Sequence, residues 1–82
     1  MAEVTYYGAD WCTDCRRSKA FLNGNNVEFV ENNVEESAEL AAKAEAIAGR
    51  KNIPVIQFKD GEFLVEPSDA ALKAALEARG LL

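Results

Sequence analysis

The sequence of 82 residues contains no histidine, one tryptophan, two prolines and only two cysteines. The lack of histidine excludes zinc sites of the Cys/His kind and general-base catalysis by imidazole. No apolar run approaches the roughly 20 residues of a membrane span. Residues 1–7 lack the basic region and the long apolar run of a signal peptide. We therefore expect a cytoplasmic protein with no membrane partner.

The charge and length of the chain narrow its class further. The formal net charge is −5 at pH 7, which disfavours binding to nucleic acid or to an anionic membrane surface. A chain of this length fits one domain, and 49% hydrophobic residues are enough for a small core. We expect residues 1–82 to form a single domain and the protein to be a monomer.

The pattern of apolar and turn-forming residues predicts seven elements in the order β-α-β-α-β-β-α. Strands joined through a helix are expected to be parallel, and the turn signal at Asp60-Gly61 predicts an antiparallel hairpin near the end of the chain. With the cysteines directly after the first strand, this order is typical of α/β proteins with a thioredoxin-like fold. The predicted strands cover residues 3–7, 27–30, 54–58 and 62–65, and the first two predicted helices cover about 13–23 and 36–48.

Small and polar residues predict where the helices begin and end. Gly24 stands where a left-handed cap would end the first helix. Asn33 and Glu36 have the spacing of a capping box before the second helix, and Gly49 is expected to end that helix. Ser68 is expected to cap a third helix, which Gly80 closes.

The two cysteines are three residues apart, in the stretch Trp11-Cys12-Thr13-Asp14-Cys15-Arg16-Arg17. At the start of a helix this spacing brings both thiols to one side of the first turn, close enough for a disulfide. Cys12 would face unpaired backbone N–H groups and the positive end of the helix dipole, which favour a nucleophilic thiolate. Cys15 would face the core as a protonated thiol. We therefore predict that Cys12 attacks a disulfide and that Cys15 resolves the product.

Charged neighbours act on this pair in both directions. Asp14 disfavours a thiolate at Cys12, whereas the two arginines that follow favour it, and the sign of the sum stays open. The basic residues expected near the site indicate either an electropositive rim for a carboxylate-bearing thiol or an acidic partner, or simply solvated charges. They are Arg16, Arg17, Lys19, Arg50 and Lys51.

Other interpretations of the pair remain open. It could be half of a zinc site shared by two chains, because structural zinc usually takes four ligands and the chain offers no further cysteine or histidine. It could also be an inert, packed pair. Trp11 either fills the core or shields the thiolate from water, and we favour the second role. Pro54 opens a predicted strand, where a trans peptide bond is the ordinary expectation.

Three blocks of sequence resemble the glutaredoxin family, most closely its mycoredoxin or actinobacterial glutaredoxin-like branch. The similarity covers almost the whole chain. The blocks are Tyr6-Tyr7-Gly8-Ala9-Asp10-Trp11-Cys12-Thr13-Asp14-Cys15, then Gly49-Arg50-Lys51-Asn52-Ile53-Pro54, and then Phe58-Lys59-Asp60-Gly61 followed by Leu64 and Pro67-Ser68.

The resemblance implies a four-stranded mixed sheet in the order 2-1-3-4 with three flanking helices, and a cis Pro54 packed against the C-x-x-C loop. It also implies a thiol-disulfide oxidoreductase with no bound cofactor. Cys12 would take a low-molecular-weight thiol from its mixed disulfide with a protein, and Cys15 or a second small thiol would release it. The backbone of Ile53 would offer hydrogen bonds to the thiol substrate. Further positions expected at the substrate site are Trp11, Thr13, Asp14, Arg16, Lys51, Asn52, Glu66 and Ser68.

The chain departs from the common glutaredoxin pattern at several positions. Thr13-Asp14 replaces Pro-Tyr, Asn52-Ile53 replaces Thr-Val, and Ala9 replaces a cationic residue. The glycine pair that leads into the last helix of many glutaredoxins is Val65-Glu66 here. Because the carboxylate of Glu66 should repel the glutamyl carboxylate of glutathione, we favour mycothiol or bacillithiol over glutathione as the co-substrate.

Two other functions remain open. One is an NrdH-type dithiol electron donor to ribonucleotide reductase, recharged by thioredoxin reductase. The aromatic-glycine-basic stretch of such proteins is replaced by Leu64-Val65-Glu66-Pro67. The other is a metal or iron–sulfur module that joins two chains through Cys12. Under the main interpretation, the partners are thiolated or disulfide-bonded proteins and a small-thiol or thioredoxin-reductase reducing system.

Overall fold

The computed structural model describes residues 3–82 and confirms the predicted order of elements. The strands form one mixed sheet in the order β2-β1-β3-β4. β1 is parallel to β2 and antiparallel to β3, and β3 and β4 form the predicted antiparallel hairpin. The elements are β1 (Val4–Gly8), α1 (Thr13–Gly24), β2 (Phe29–Asn33), α2 (Ala38–Ala48), β3 (Val55–Phe58), β4 (Phe63–Val65) and α3 (Asp69–Ala78).

The alternation of side chains along the central strands divides the core into two layers. Tyr6 lies on the face covered by α1 and α3, and its neighbour Tyr7 lies on the face covered by α2. The first layer is the larger one. Its buried members are Val4, Tyr6, Cys15, Leu22, Val27, Ile56, Phe58, Leu72 and Leu76. The second is built on Tyr7, Ala44 and Val55. None of the helices within residues 3–82 is long and apolar enough to cross a membrane.

The predicted capping box before α2 is wrong. The side chain of Asn33 accepts a hydrogen bond from the N–H of Glu35 at 2.9 Å and so closes a local turn at the end of β2. The helix begins later, at Ala38, where the hydroxyl of Ser37 accepts from the N–H of Glu39 at 3.1 Å. A serine side chain therefore satisfies one of the free N–H groups of the first turn, and asparagine serves the preceding turn.

The end of α1 also differs from the prediction. Gly24 is the last helical residue, and the left-handed residue is Asn26, with φ 57°. The N–H of Val27 donates to the carbonyl of Leu22 at 2.9 Å, which closes the helix with a Schellman-type turn. Asparagine tolerates this conformation better than other non-glycine residues. At the other helices, Gly49 and Ser68 have the predicted capping roles.

β2 lies two to three residues further along the chain than the stretch Val27-Glu28-Phe29-Val30 predicts. Its register against β1 runs from Val4 opposite Phe29 to Gly8 opposite Asn33. The pairing with the central strand extends β2 through the polar residues at its end. Tertiary pairing therefore sets these bounds, and β-propensity does not.

One residue between β4 and α3 has a strained backbone. Glu66 has φ 49°, a left-handed value that side chains other than glycine and asparagine seldom adopt. Its N–H donates to the carbonyl of Pro54 at 2.9 Å, and its carboxylate accepts from the amide of Asn52 at 2.6 Å. These contacts hold the residue in a conformation that its own side chain disfavours.

We expect Glu66→Asn to raise the free energy of unfolding by about 1 kcal/mol, because asparagine tolerates a left-handed backbone. Urea unfolding monitored by circular dichroism measures the change. Glu28→Asn is the control, since it removes the same charge at an exposed position whose φ is negative. An unchanged or lower stability for Glu66→Asn would contradict the strain argument.

Candidate active site

The cysteine pair lies where β1 leads into α1. Cys12 is the N-cap of the helix, with an extended backbone (φ −84°, ψ 120°), and its sulfur accepts a hydrogen bond from the N–H of Cys15 at 3.3 Å. Its own N–H donates to the carbonyl of Ala9, also at 3.3 Å, which closes the loop after β1. A backbone N–H that points at a sulfur stabilises negative charge on it. The predicted position of Cys12 at the helix start is confirmed.

The two thiols have different surroundings. Cys12 is partly buried, whereas Cys15 is fully buried in the layer between the sheet and α1. This burial, followed by its contact with Cys12, raises the pKa of the Cys15 thiol to about 12. Cys15 is therefore held as a protonated thiol at neutral pH, in agreement with the sequence-based prediction.

The loop before β3 forms the opposite wall of the site. The Ile53–Pro54 peptide bond is cis, as the resemblance implied. The sulfur of Cys12 lies 3.9 Å from the carbonyl oxygen of Ile53, a long contact in which the S–H is the donor. The structure thus brings Cys12, Cys15, Ile53 and Pro54 together at the carboxyl end of β1.

A groove with a volume of about 440 Å³ opens beside this wall. Trp11 borders it and is 65% exposed, so this tryptophan is not part of the core. The floor is apolar and comes largely from the alanines of α2. The groove is lined by Trp11, Val34, Ala38, Ala41, Ala42, Ala44, Glu45, Arg50, Lys51, Asn52 and Ile53.

The basic residues near the site fall into two groups. Arg17 pairs with Asp14 at 3.4 Å and with Asp69 at 3.8 Å, and Lys19 pairs with Glu31 at 2.6 Å. These two cations are therefore partly neutralised by carboxylates. Arg50 and Lys51 border the groove and form no ion pair with any residue of the described part of the chain. Arg16 on α1 also forms no ion pair with the described residues, so the positive charge available to a substrate lies on Arg16 and on the groove side.

Three further residues that were predicted at the substrate site lie outside the groove. Thr13 is the exposed first residue of α1, and Arg16 donates to the carbonyl of Asp10 at 3.5 Å. The hydroxyl of Ser68 accepts from the N–H of Ala71 at 3.1 Å and so caps α3. None of these three residues lines the groove.

Two features of the site were not predicted as substrate contacts or positioning residues. Arg50 lies in the groove beside Lys51; from the sequence it was a candidate for an electropositive rim but was not among the predicted substrate-site residues. The hydroxyl of Tyr6 lies behind the pair and donates to the carbonyl of Cys15 at 3.3 Å. The sequence signal for this contact is Gly8, the glycine two residues further along the same strand. Within residues 3–82, no three His, Cys, Asp or Glu side chains are grouped to hold a metal ion.

The raised pKa of Cys15 makes the stability of the reduced protein depend on pH. The folded state holds this proton more tightly than the unfolded chain does, so the stabilisation is complete below about pH 9 and is lost as the pH rises toward 12. Between about pH 8 and about pH 10, we expect the reduced wild type to lose roughly 1 kcal/mol more unfolding free energy than Cys15→Ala. Urea unfolding of both proteins at both pH values measures this difference. Equal losses of unfolding free energy in the wild type and in Cys15→Ala would contradict the assigned environment of Cys15.

Comparisons with known proteins agree with this geometry. Residues 4–64 match the family model described as Glutaredoxin. A Mycobacterium tuberculosis protein named as a glutaredoxin is 32% identical over 76 residues, which cover 92% of this chain and 90% of that protein. Mycoredoxin 1 of Corynebacterium glutamicum is 30% identical over 78 residues, covering 95% of this chain and 98% of that one. The crystal structure of a glutaredoxin from Archaeoglobus fulgidus superposes with a TM-score of 0.81 at 26% identity, covering 90% of this chain and 85% of that one. The chain belongs to the glutaredoxin family.

Proposed function

We propose that this protein reduces mixed disulfides between proteins and a low-molecular-weight thiol, with Cys12 as the nucleophile and Cys15 as the resolving thiol. The observation that carries the proposal is the different placement of the two sulfurs. Cys12 is partly accessible and accepts a backbone hydrogen bond, whereas Cys15 is fully buried one helical turn further on. Only the first can meet a substrate disulfide directly.

The reaction divides into two thiol–disulfide exchanges. In the first, the Cys12 thiolate attacks the sulfur of the small thiol, and the protein substrate leaves as its thiolate. Cys12 then carries the small thiol as a mixed disulfide. In the second, Cys15 attacks the Cys12 sulfur, forms the Cys12–Cys15 disulfide and releases the bound thiol as its thiolate. Alternatively, a second small thiol attacks the sulfur of the bound thiol, forms a disulfide with it and releases Cys12 as its thiolate. The same dithiol also suits the reduction of protein disulfides.

The surroundings of Cys12 support a place for the substrate. A small thiol attached to Cys12 has the backbone of Ile53 on one side and the apolar groove with Trp11 next to it. Arg50 and Lys51 on the groove border suit an anionic group of the small thiol or of the protein that carries it. We therefore propose the groove and the Ile53 backbone as the substrate-binding surface.

The loop that carries Arg50, Lys51 and Asn52 also has a carboxylate beside it. The carboxylate of Glu66 is held beside this loop by Asn52 at 2.6 Å. A carboxylate at that point repels the carboxylates of glutathione, and it does not repel a thiol without carboxylates such as mycothiol. Together with the similarity to Mycoredoxin 1, this supports mycothiol as the preferred co-substrate over glutathione.

The variant Cys15→Ser tests the proposal, because it keeps the nucleophile and removes the resolving thiol. It is offered the mixed disulfides of mycothiol, bacillithiol and glutathione with one model peptide, and intact mass spectrometry identifies which group stays on the protein. We expect a small-thiol adduct on Cys12 that forms about twofold to fivefold faster with mycothiol than with glutathione, since an exposed carboxylate repels only modestly.

Cys12→Ser is the matched control and should form no adduct at all, because it retains only the buried thiol. Equal rates with the three thiols would remove the role of Glu66 in selectivity. Absence of any small-thiol adduct, with a wild type that still reduces protein disulfides, would overturn the mixed-disulfide function in favour of an electron donor of the NrdH type.

A further inference from the structure

The buried side of the cysteine pair contains a tyrosine hydroxyl in contact with the resolving residue. Tyr6 is 3% exposed, and its hydroxyl donates to the carbonyl oxygen of Cys15 at 3.3 Å. Its ring packs edge-on against Phe29, with ring centroids 6.0 Å apart. A buried phenol that meets the resolving cysteine from the neighbouring strand has no part in the two exchanges described above.

Gly8 makes this arrangement possible. A Cβ atom at Gly8 would overlap the hydroxyl end of Tyr6, with the ring carbon Cζ at 2.5 Å, and would lie 3.1 Å from the sulfur of Cys15. The tyrosine hydroxyl and the cysteine sulfur therefore lie beside the same point of the backbone. The missing side chain leaves the space in which they come together.

The buried environment of Cys15 favours a hydrogen-bond donor close to its sulfur. Cys15 must lose a proton to attack the Cys12 disulfide, and its fully buried position disfavours the resulting negative charge. The groups that face it are Cys12 at the helix start, the N–H of Ala9 and the hydroxyl of Tyr6. The last two lower the pKa of the Cys15 thiol, and burial keeps the pKa of Tyr6 above its ordinary value, so the phenol remains a proton donor.

We propose that Tyr6 is a positioning residue for the second exchange, in which its hydroxyl turns from the carbonyl of Cys15 to the sulfur and stabilises the charge that develops there. This inference rests on the proposed function, since it concerns the resolving role of Cys15. A hydrogen bond to a charged sulfur is stronger than the 3.3 Å contact to a neutral carbonyl. The geometry thus favours the donor moving to the sulfur only when the thiol ionises.

The step balances without a further reagent. The sulfur of Cys15 forms a bond to the sulfur of Cys12, and the bond between Cys12 and the bound thiol breaks. The leaving thiolate takes the electron pair of that bond. The proton of Cys15 passes to solvent, and the leaving thiolate takes one up there. The mixed disulfide from the first exchange is the oxidant, and Cys15 is the reductant.

Stopped-flow reaction with 5,5′-dithiobis(2-nitrobenzoate) separates the two exchanges, because each releases one coloured thionitrobenzoate. The first release reports attack by Cys12 and the second reports resolution by Cys15. We expect Tyr6→Phe to slow the second release by about tenfold or more and to leave the first unchanged. It should also move the pH midpoint of the second release upward. The titratable groups that face this region are Cys12, Tyr6 itself and Glu31, which faces Tyr6 from β2.

Tyr7→Phe is the matched control. It deletes the same hydroxyl from an equally buried neighbour that lies on the other face of the sheet, so neither release should change. Ser18→Ala tests a second buried hydroxyl, which belongs to α1. The Ser18 hydroxyl is fully buried and has no hydrogen-bond partner among the described residues. Urea unfolding of the reduced variants confirms that each is folded.

The outcomes distinguish the inference from the function on which it rests. A wild type that releases only one thionitrobenzoate would overturn the dithiol mechanism itself. Two releases in the wild type and an unchanged second rate or pH midpoint in Tyr6→Phe would overturn the role of Tyr6 alone. If the second release slows in Ser18→Ala and keeps its wild-type rate in Tyr6→Phe, the role belongs to Ser18 and not to Tyr6.

Discussion

A helix usually begins with a side-chain oxygen that accepts a hydrogen bond from one of its first free N–H groups. In α1 a sulfur takes that place, because Cys12 is the N-cap and receives the N–H of Cys15 at 3.3 Å. This contact fixes the accessible sulfur at the positive end of the helix and, through the turn that it closes, directs Cys15 into the core. The separate roles proposed for the two cysteines depend on it.

The loop beside this sulfur carries charges of both signs. Arg50 and Lys51 border the apolar groove, and no ion pair in residues 3–82 neutralises them. The carboxylate of Glu66, whose backbone is left-handed, is held by Asn52 of the same loop. The strained position of this carboxylate is the physical basis for the preference that we propose among small thiols.

Much of the fold and the core of the site could be predicted from the sequence, because both rest on local patterns. The order of strands and helices follows from apolar periodicity, and the place of Cys12 follows from its position before a helix. The bounds of β2 could not be predicted, since strand pairing decides them. The cap of α2 at Ser37 was missed because Asn33, which has the spacing of a cap, closes a local turn instead. The pairing of Arg17 with Asp69 and the contact of Tyr6 with Cys15 depend on which elements pack together on one face of the sheet, and a single sequence does not show that.

The unequal accessibility of the two thiols is tested most directly by alkylation of the reduced, native protein with iodoacetamide. Intact mass gives the number of modified thiols, and peptide mapping assigns them. The structure predicts one rapid modification, at Cys12, and none at Cys15 until denaturant unfolds the chain. Equal labelling of both cysteines in the native state, or labelling of Cys15 first, would contradict the assignment of nucleophile and resolving thiol.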